Sequence, residues 1–384
     1  MALRWLSTLP WLLPWVTLLR LARRSPRLTA FPAASRGLVS VIVPARNEAS
    51  TIDTVIRSIL ATTYPAIELI VVDDRSTDAT RTLAEQAVGA DPRARVLAGE
   101  PLPDGWYGKP WALEQGYHAA RGDFLLFTDA DTRHTPELIG RAVGAIEATA
   151  ADLLTIAPRQ RCVTLWERLI MPQVIYLLAL RFHPRLVNRA RHRSEVIAIG
   201  QFILVRRPAY EAIGGHEVVR AEIAEDLALA QEFWSAGYRL RVLFGDELIE
   251  TRMYTGLRHL IEGWSKNIYL GSRRSFPDEP VQRALVPLLL GGALAFWLVP
   301  WLLLAAVAVG ALPAWLAGPL WGAVGASVLF WGAIAFGMGI PPWYGLGYPV
   351  GAALSLYIVG LSTIRGARRV EWKGRRYGPD LRQR

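Results

Sequence analysis

The feature that most limits how this chain can fold is the long apolar region toward its C-terminal end. From Leu285 onward three apolar runs follow one another, at residues 286–309, 314–337 and 347–364. The first two are long enough to cross a bilayer core, which takes about 20 apolar residues, and the third is near the lower limit. Pro313, Pro319 and the stretch Gly339-Ile-Pro-Pro-Trp343 punctuate them. A shorter apolar run at residues 2–19, containing Arg4, Pro10 and Pro14, stands at the other end. The hydrophobic content of 52% over 384 residues therefore collects at the two ends, with a normally mixed segment between them. That distribution predicts a globular domain tied to membrane segments.

The expected organisation is an N-terminal membrane segment (1–24), a globular domain (36–275), a membrane region (284–364) and a basic tail (365–384). The net charge of +10 lies largely beside the apolar runs, at Arg20, Arg23, Arg24 and Arg27 and in the tail. Basic residues in those places hold loops on the cytoplasmic side and attract anionic lipid. No RNA- or DNA-binding motif accompanies them, so nucleic acid is not an expected partner. A cleaved signal peptide ending near Phe31-Pro-Ala-Ala-Ser35 is disfavoured, because the strong basic charge follows the apolar run instead of preceding it. The expectation is a multi-pass protein of the inner (plasma) membrane with its globular domain in the cytoplasm. Three full crossings would then put the basic tail outside, against the positive-inside tendency. Either one run is re-entrant or interfacial, or the tail departs from the rule. The single cysteine, Cys162, excludes a disulfide framework and a cysteine metal site.

Between residues 36 and 275 short apolar runs, the first of them β-branched, alternate with helical patterns. Val39-Ser-Val-Ile-Val-Pro44, Glu68-Leu-Ile-Val-Val-Asp73, Arg95-Val-Leu97 and Phe124-Leu-Leu-Phe-Thr128 read as buried strands. Ile52, Val55, Ile56, Ile59 and Leu60 share one helical face, and Asp78 is placed to cap a following helix. A further helix is expected from Trp111 to Ala120. The alternation predicts an α/β fold with a doubly wound sheet, whose ligands sit at the carboxyl ends of the strands. Asp73 and Asp74 end the second strand, and Asp129-Ala-Asp131 ends the fourth. A lone Asp-x-Asp is more often a turn former or helix cap than a ligand pair. Its place after a hydrophobic strand, with a second aspartate pair ending another, favours oxygen ligands for Mg²⁺ or Mn²⁺ beside a diphosphate. Gly108-Lys109 runs into Pro110, and no Gly-x-Gly-x-x-Gly or Walker-type loop is present, which argues against dinucleotide oxidoreductases and ATPases.

Taken together, Val41-Ile-Val-Pro-Ala-Arg-Asn-Glu48, Val71-Val-Asp-Asp-Arg-Ser-Thr-Asp78, Thr128-Asp-Ala-Asp131 and Ala224-Glu-Asp-Leu227 resemble, in order and spacing, the motifs of inverting family 2 glycosyltransferases. The resemblance covers residues 38–274 and implies a GT-A fold, Rossmann-like with a mixed sheet, divided into a nucleotide-binding half (36–135) and an acceptor half (136–275). It implies that Pro44, Ala45, Asn47 and Glu48 line the nucleotide pocket, with Asp73 and Asp74 reading base and ribose. Asp129 and Asp131 would hold the metal and diphosphate, with Lys109 near the phosphates or the donor sugar. Asp226, beside Glu225, would be the general base. Such a role also makes chemical sense, since a single displacement needs one carboxylate to take the acceptor proton. The plain reading of Glu225-Asp226 is a charged helix start, and the two readings are compatible.

Gly105-Trp-Tyr-Gly-Lys-Pro-Trp-Ala112, Gly263-Trp-Ser-Lys-Asn267 and Val370-Glu-Trp-Lys-Gly-Arg375 are similar to segments of carotenoid and hopanoid-associated glycosyltransferases. The Gln-x-x-Arg-Trp motif of processive polysaccharide synthases is absent; Ile261-Glu-Gly-Trp264-Ser-Lys stands in its place, leaving Trp264 and Lys266 as acceptor candidates. Residues 165–182 are apolar and interrupted by Pro172, with Arg181 near their end and Arg185, Arg189, Arg191 and Arg193 following. They read equally as an interfacial helix or as a buried one. The expected activity is transfer of a hexose from a UDP-linked donor to a membrane lipid such as a carotenoid or hopanoid. Polysaccharide synthesis and an inactive GT-A membrane scaffold are the alternatives, and the scaffold would predict a lost aspartate where none is lost.

Overall fold

The computed structural model describes residues 8–22, 25–276, 280–365, 370–372 and 375–377. Arg4, Arg23, Arg24, and the tail beyond Arg365 apart from a short hairpin pairing Val370–Trp372 with Arg375–Tyr377, lie outside the described residues. The chain divides into two compact units, one of residues 26–160, 184–253 and 367–384, the other of residues 1–25, 161–183 and 254–366. The division cuts across the expected 36–275 domain: residues 161–183 and those from 254 onward cluster with the apolar helices instead.

The first unit is α/β. Its strands are β1 (Val39–Ala45), β2 (Ile67–Asp73), β3 (Ala94–Ala98), β4 (Phe124–Phe127), β5 (Thr132–His134), β6 (Leu153–Ala157), β7 (Arg159–Gln160), β8 (Ile203–Arg206), β9 (Leu240–Phe244) and β10 (Ile249–Thr251). The main sheet has the order β3-β2-β1-β4-β8-β6-β9 and is parallel except for β8, which runs antiparallel to both its neighbours. A small second sheet joins β5, β10 and β7. All seven residues of β1 and of β2 are buried, as strands covered on both faces must be. The helix Ile52–Leu60 lays Ile52, Val55, Ile56 and Ile59 against this sheet, each fully buried, at roughly 1.5–3 kcal/mol apiece. Glu68 is buried at the far end of β2 and satisfied there: it accepts bonds from Ser40 Oγ and the Arg121 N–H, both at 2.6 Å.

Strand order reverses at β1. β2 and β3 build outward on one side of it, and the chain then returns to place β4 on the other. β1 pairs with β2 through Ala45 but with β4 only as far as Ile42, so the two strands part beyond that point. Such a switch point opens the crevice in which doubly wound sheets bind ligands. The helix Gly108–Ala119 runs alongside, and Gly116 lets it press on β1: a Cβ there would fall 2.4 Å from Ile42 Cγ2.

The second unit is helical. Among the described residues three segments are long and apolar enough to cross a membrane: Pro280–Ala308, Ala314–Gly337 and Pro342–Arg365, with mean hydropathies of 2.1, 1.6 and 1.4. The N-terminal helix Leu13–Ala22 has 10 residues, about half of a crossing. The apolar segment with Pro172 is one helix, Leu165–Phe182, capped by Thr164, whose side chain accepts the Glu167 N–H. It is buried along Leu169, Ile170, Met171, Gln173 and Val174, and Gly351 meets the Leu169 carbonyl closely enough that a Cβ would fall 2.3 Å away. Trp11, Trp297, Phe330, Trp331 and Tyr348 form an aromatic core, with Trp297 stacked on Phe330 at 4.9 Å.

Candidate active site

The carboxyl edge of the α/β unit is built from strand ends. Pro44 lacks an N–H, yet it sits in a central strand. It has the same orientation as Ile42, whose carbonyl accepts from Thr128, and so faces the side where pairing with β4 has already stopped. The missing donor therefore costs no ladder bond. The chain then turns through Asn47 at φ 53°, a left-handed conformation that Asn tolerates. The Asn47 side-chain carbonyl accepts from the Thr77 N–H at 2.8 Å, and Thr80 Oγ1 accepts from the Glu48 N–H at 2.7 Å. Asp74 donates its N–H to the Ala45 carbonyl at 2.7 Å, and Gly99 donates to the Asp73 carbonyl at 2.8 Å. Asp73 and Asp74 are buried at 5% and 1% exposure. The structure thus brings Pro44, Ala45, Asn47, Glu48, Asp73 and Asp74 to one edge. Arg46, which the sequence reading passed over, pins the two loops by donating to the carbonyls of Asp74 and Arg75 at 2.6 and 2.9 Å. Asp78 does act at the next helix start, accepting the Thr80 N–H at 3.0 Å.

Across the crevice, three carboxylates converge on one ammonium. Lys109 Nζ lies 2.8 Å from Asp129 Oδ1 and 2.7 Å from Glu225 Oε1. Lys109 stands in the first turn of Gly108–Ala119, a helix that starts three residues earlier than the sequence suggested. Pro110 reads as a breaker there, but the first helical turn tolerates proline because its N–H groups have no partners within the helix. Asp129 lies just past β4, and Glu225 and Asp226 open the helix Glu225–Ser235. Asp226 accepts the Gly200 N–H through Oδ2 at 2.9 Å and its neighbour Leu227's N–H through Oδ1 at 2.8 Å. Burial, reinforced by the charge of Glu225, pushes the Asp226 carboxyl up to about 6 despite the nearby lysine. Burial alone would lower Lys109, but Asp129, Glu225 and Asp226 outweigh it and hold the ammonium well above the usual lysine value. Gly200 is a second residue the motifs did not reveal: a Cβ there would fall 2.9 Å from Lys109 Nζ and 3.1 Å from Asp226 Oδ2.

Residues 40–214 match the family model described as glycosyl transferase family 2. The chain carries a family 2 glycosyltransferase domain. The 4,4'-diaponeurosporenoate glycosyltransferase of Staphylococcus haemolyticus (strain JCSC1435) is 26% identical over 244 residues, covering 62% of this chain and 63% of that protein. Its counterpart in Staphylococcus aureus (strain USA300) is 28% identical over 243 residues, with the same shares. The match therefore spans just under two thirds of these relatives. The mannosyltransferase PcManGT from Pyrobaculum calidifontis, solved in complex with GDP-Man and Mn²⁺, aligns over 95% of both chains with a TM-score of 0.55 at 18% identity, a likeness of fold.

Within the glycosyltransferase domain the donor set suits a hard cation. Among the described residues no three His, Cys, Asp or Glu side chains are grouped to enclose an ion. What the domain offers is Asp129 and Asp131 on one turn, in a neighbourhood with more carboxylates than cations. One or two carboxylates completed by water and substrate phosphates is the way Mg²⁺ is commonly held, so the residues fit such an ion. Trp264 and Lys266 belong to the helical unit. Trp264 is 6% exposed, packs against Tyr254 and donates its indole N–H to Met171 Sδ at 3.4 Å.

Proposed function

We propose that the protein moves a hexose from a nucleoside diphosphate sugar, UDP-linked, to a membrane-lipid acceptor, with inversion in a single displacement. The observation that carries this reading is the convergence of Asp129, Glu225 and Asp226 on Lys109 at the carboxyl edge of the sheet. In the step, Asp226 takes the proton of the acceptor hydroxyl while its oxygen bonds to the anomeric carbon. The bond from that carbon to the diphosphate oxygen breaks, and the diphosphate leaves with the electron pair. Asp226 suits this role because its carboxylate is fixed by two backbone N–H groups and titrates near neutrality. Lys109 supplies positive charge beside the leaving group, and Glu225 holds the ammonium in place. Asp129 and Asp131 would hold a Mg²⁺ or Mn²⁺ ion, which neutralises charge growing on the diphosphate. Asp73, Asp74, Asn47 and Glu48 line the nucleotide side.

A lipid acceptor is supported by the three apolar helices and by relatives named for a carotenoid substrate. Placement in the inner membrane, with the domain cytoplasmic, follows from the basic residues beside the apolar runs. Labelled nucleotide sugars supplied to membranes containing the protein, followed by lipid extraction, test the reading. Label should enter the lipid fraction with the wild type and not with Asp226→Asn. Equal labelling by both would overturn it.

A further inference from the structure

Asp129 and Asp226 come from elements far apart in sequence, and a frame of buried hydroxyls joins them. The segment Ile199–Phe202 is a turn, closed by the Phe202 N–H donating to the Ile199 carbonyl at 2.9 Å. Within it the Gly200 N–H holds Asp226 Oδ2. Two threonines grip this turn from different strands. Thr155, fully buried on β6, accepts the Ile199 N–H at 2.8 Å and donates to the Phe202 carbonyl at 2.9 Å. Thr128, at 1% exposure, donates to the Gln201 carbonyl at 2.8 Å and is followed directly by Asp129.

Proton bookkeeping extends the frame to the Asp129-Ala-Asp131 turn. Thr132 Oγ1 donates to the Asp129 carbonyl at 2.8 Å, so its proton is committed, as is that of Thr128. His134 Nε2 lies 3.1 Å from Thr128 Oγ1 and 3.2 Å from Thr132 Oγ1. With both hydroxyl protons on those carbonyls, the imidazole is assigned as the donor at Nε2. Burial holds His134 down at about 3, so it is neutral and donates from one nitrogen only. The shortest bonds thus set the direction of each hydroxyl: Thr155 donates to Phe202 at 2.9 Å against 3.3 Å for the Ile199 carbonyl, and Thr128 and Thr132 donate to carbonyls at 2.8 Å against 3.1 Å for each other.

We infer that Thr128 and Thr155 are positioning residues that set the carboxylate of Asp226 relative to Asp129 through the Ile199–Phe202 turn. This rests on Asp226 being the base. Shifting the turn moves the Gly200 N–H away from Oδ2, which misaligns the carboxylate and removes a bond that favours its charged form. Glu225 and Lys109 also face that carboxylate.

The test uses the full-length protein in vesicles of total membrane lipid, measuring UDP release from the sugar nucleotide that labels lipid. Thr155→Val and Thr128→Val should lower kcat about ten- to a hundredfold. KM for the donor and UDP affinity should stay at wild-type values. The acid limb of the pH profile should move upward, because the ionised carboxylate has lost a donor. Thr155→Ser and Thr128→Ser should restore both rate and profile. If Val at either position disturbs UDP binding, the Ser variant is compared with Ala at that position, and the same split is required. Wild-type kcat and pH profile in the Val variants, or failure of Ser to restore them, would overturn the inference. Asp226→Asn, measured alongside, separates the two levels: a rate near wild type would remove the base reading itself, whereas a severely impaired Asp226→Asn with unaffected threonine variants would remove only the frame.

Discussion

At the scale of single residues, the site is a contest between burial and charge. Asp226 is raised from 3.8 to about 6, so its neutral form is favoured in the folded chain. The sign for stability follows: its contribution is fully present below about pH 4 and is lost as pH rises through about 6. Catalysis runs the other way, since the base must be ionised. kcat/KM should therefore rise with pH through a limb near 6, and Asp226→Asn should lose about a hundred- to ten-thousandfold in rate while still binding UDP. A flat pH profile between 5 and 7, roughly the span about that value, would contradict the assignment. Gly200→Ala should lower activity without unfolding the protein, because its Cβ intrudes on Lys109 and Asp226 and on no backbone. An unchanged rate would show that the close approach has no bearing on the chemistry.

Among the elements, the sequence announced some features and hid others for identifiable reasons. β1, β2 and β4 were legible because buried parallel strands leave near-continuous apolar runs, and the aspartates that end β2 and follow β4 stand out against them. The antiparallel β8 left no such mark, since Ile-Leu-Val-Arg reads alike in either direction. The helix bearing Lys109 begins three residues before the expected Trp111, because Pro110 in the first turn removes no helical bond. Thr128 and Thr155 work through backbone partners more than forty residues distant, and Gly200 through the side chain of Asp226, and no local pattern records that. The tight seat of helix Gly108–Ala119 on β1 makes its own prediction. Gly116→Val should lower stability by about 1–3 kcal/mol, read by denaturant midpoint, and reduce activity by shifting Lys109. Wild-type stability would mean that the helix has slack against Ile42.

For the whole molecule, the three long apolar helices were legible from composition alone, because a helix able to face lipid needs apolar side chains all round. Val281, Leu288, Leu302, Leu329, Phe336 and Ile364 are all exposed large hydrophobics in that unit. What composition could not give was the path of the chain. Residues 165–182 read equally as an interfacial helix or a buried one, and the helix they form clusters with the apolar helices and is buried from Leu169 to Val174. A helix of that length and apolarity serves equally in either setting, and only its partners, such as Gly347 and Gly351 beside Leu169, decide. Metal dependence also belongs to this scale, since ion, diphosphate and protein complete one another. Asp131→Ala should weaken UDP binding in Mn²⁺ and leave the metal-free affinity unchanged, as measured by calorimetry.

The most direct test of the account supplies a panel of labelled nucleotide sugars to membranes bearing the wild-type protein or Asp226→Asn, then extracts the lipids for mass analysis. The account predicts one UDP-sugar that adds a single hexose to a lipid, with no product from Asp226→Asn. Label recovered only in a water-soluble polymer, or a glycolipid made equally well by Asp226→Asn, would contradict it.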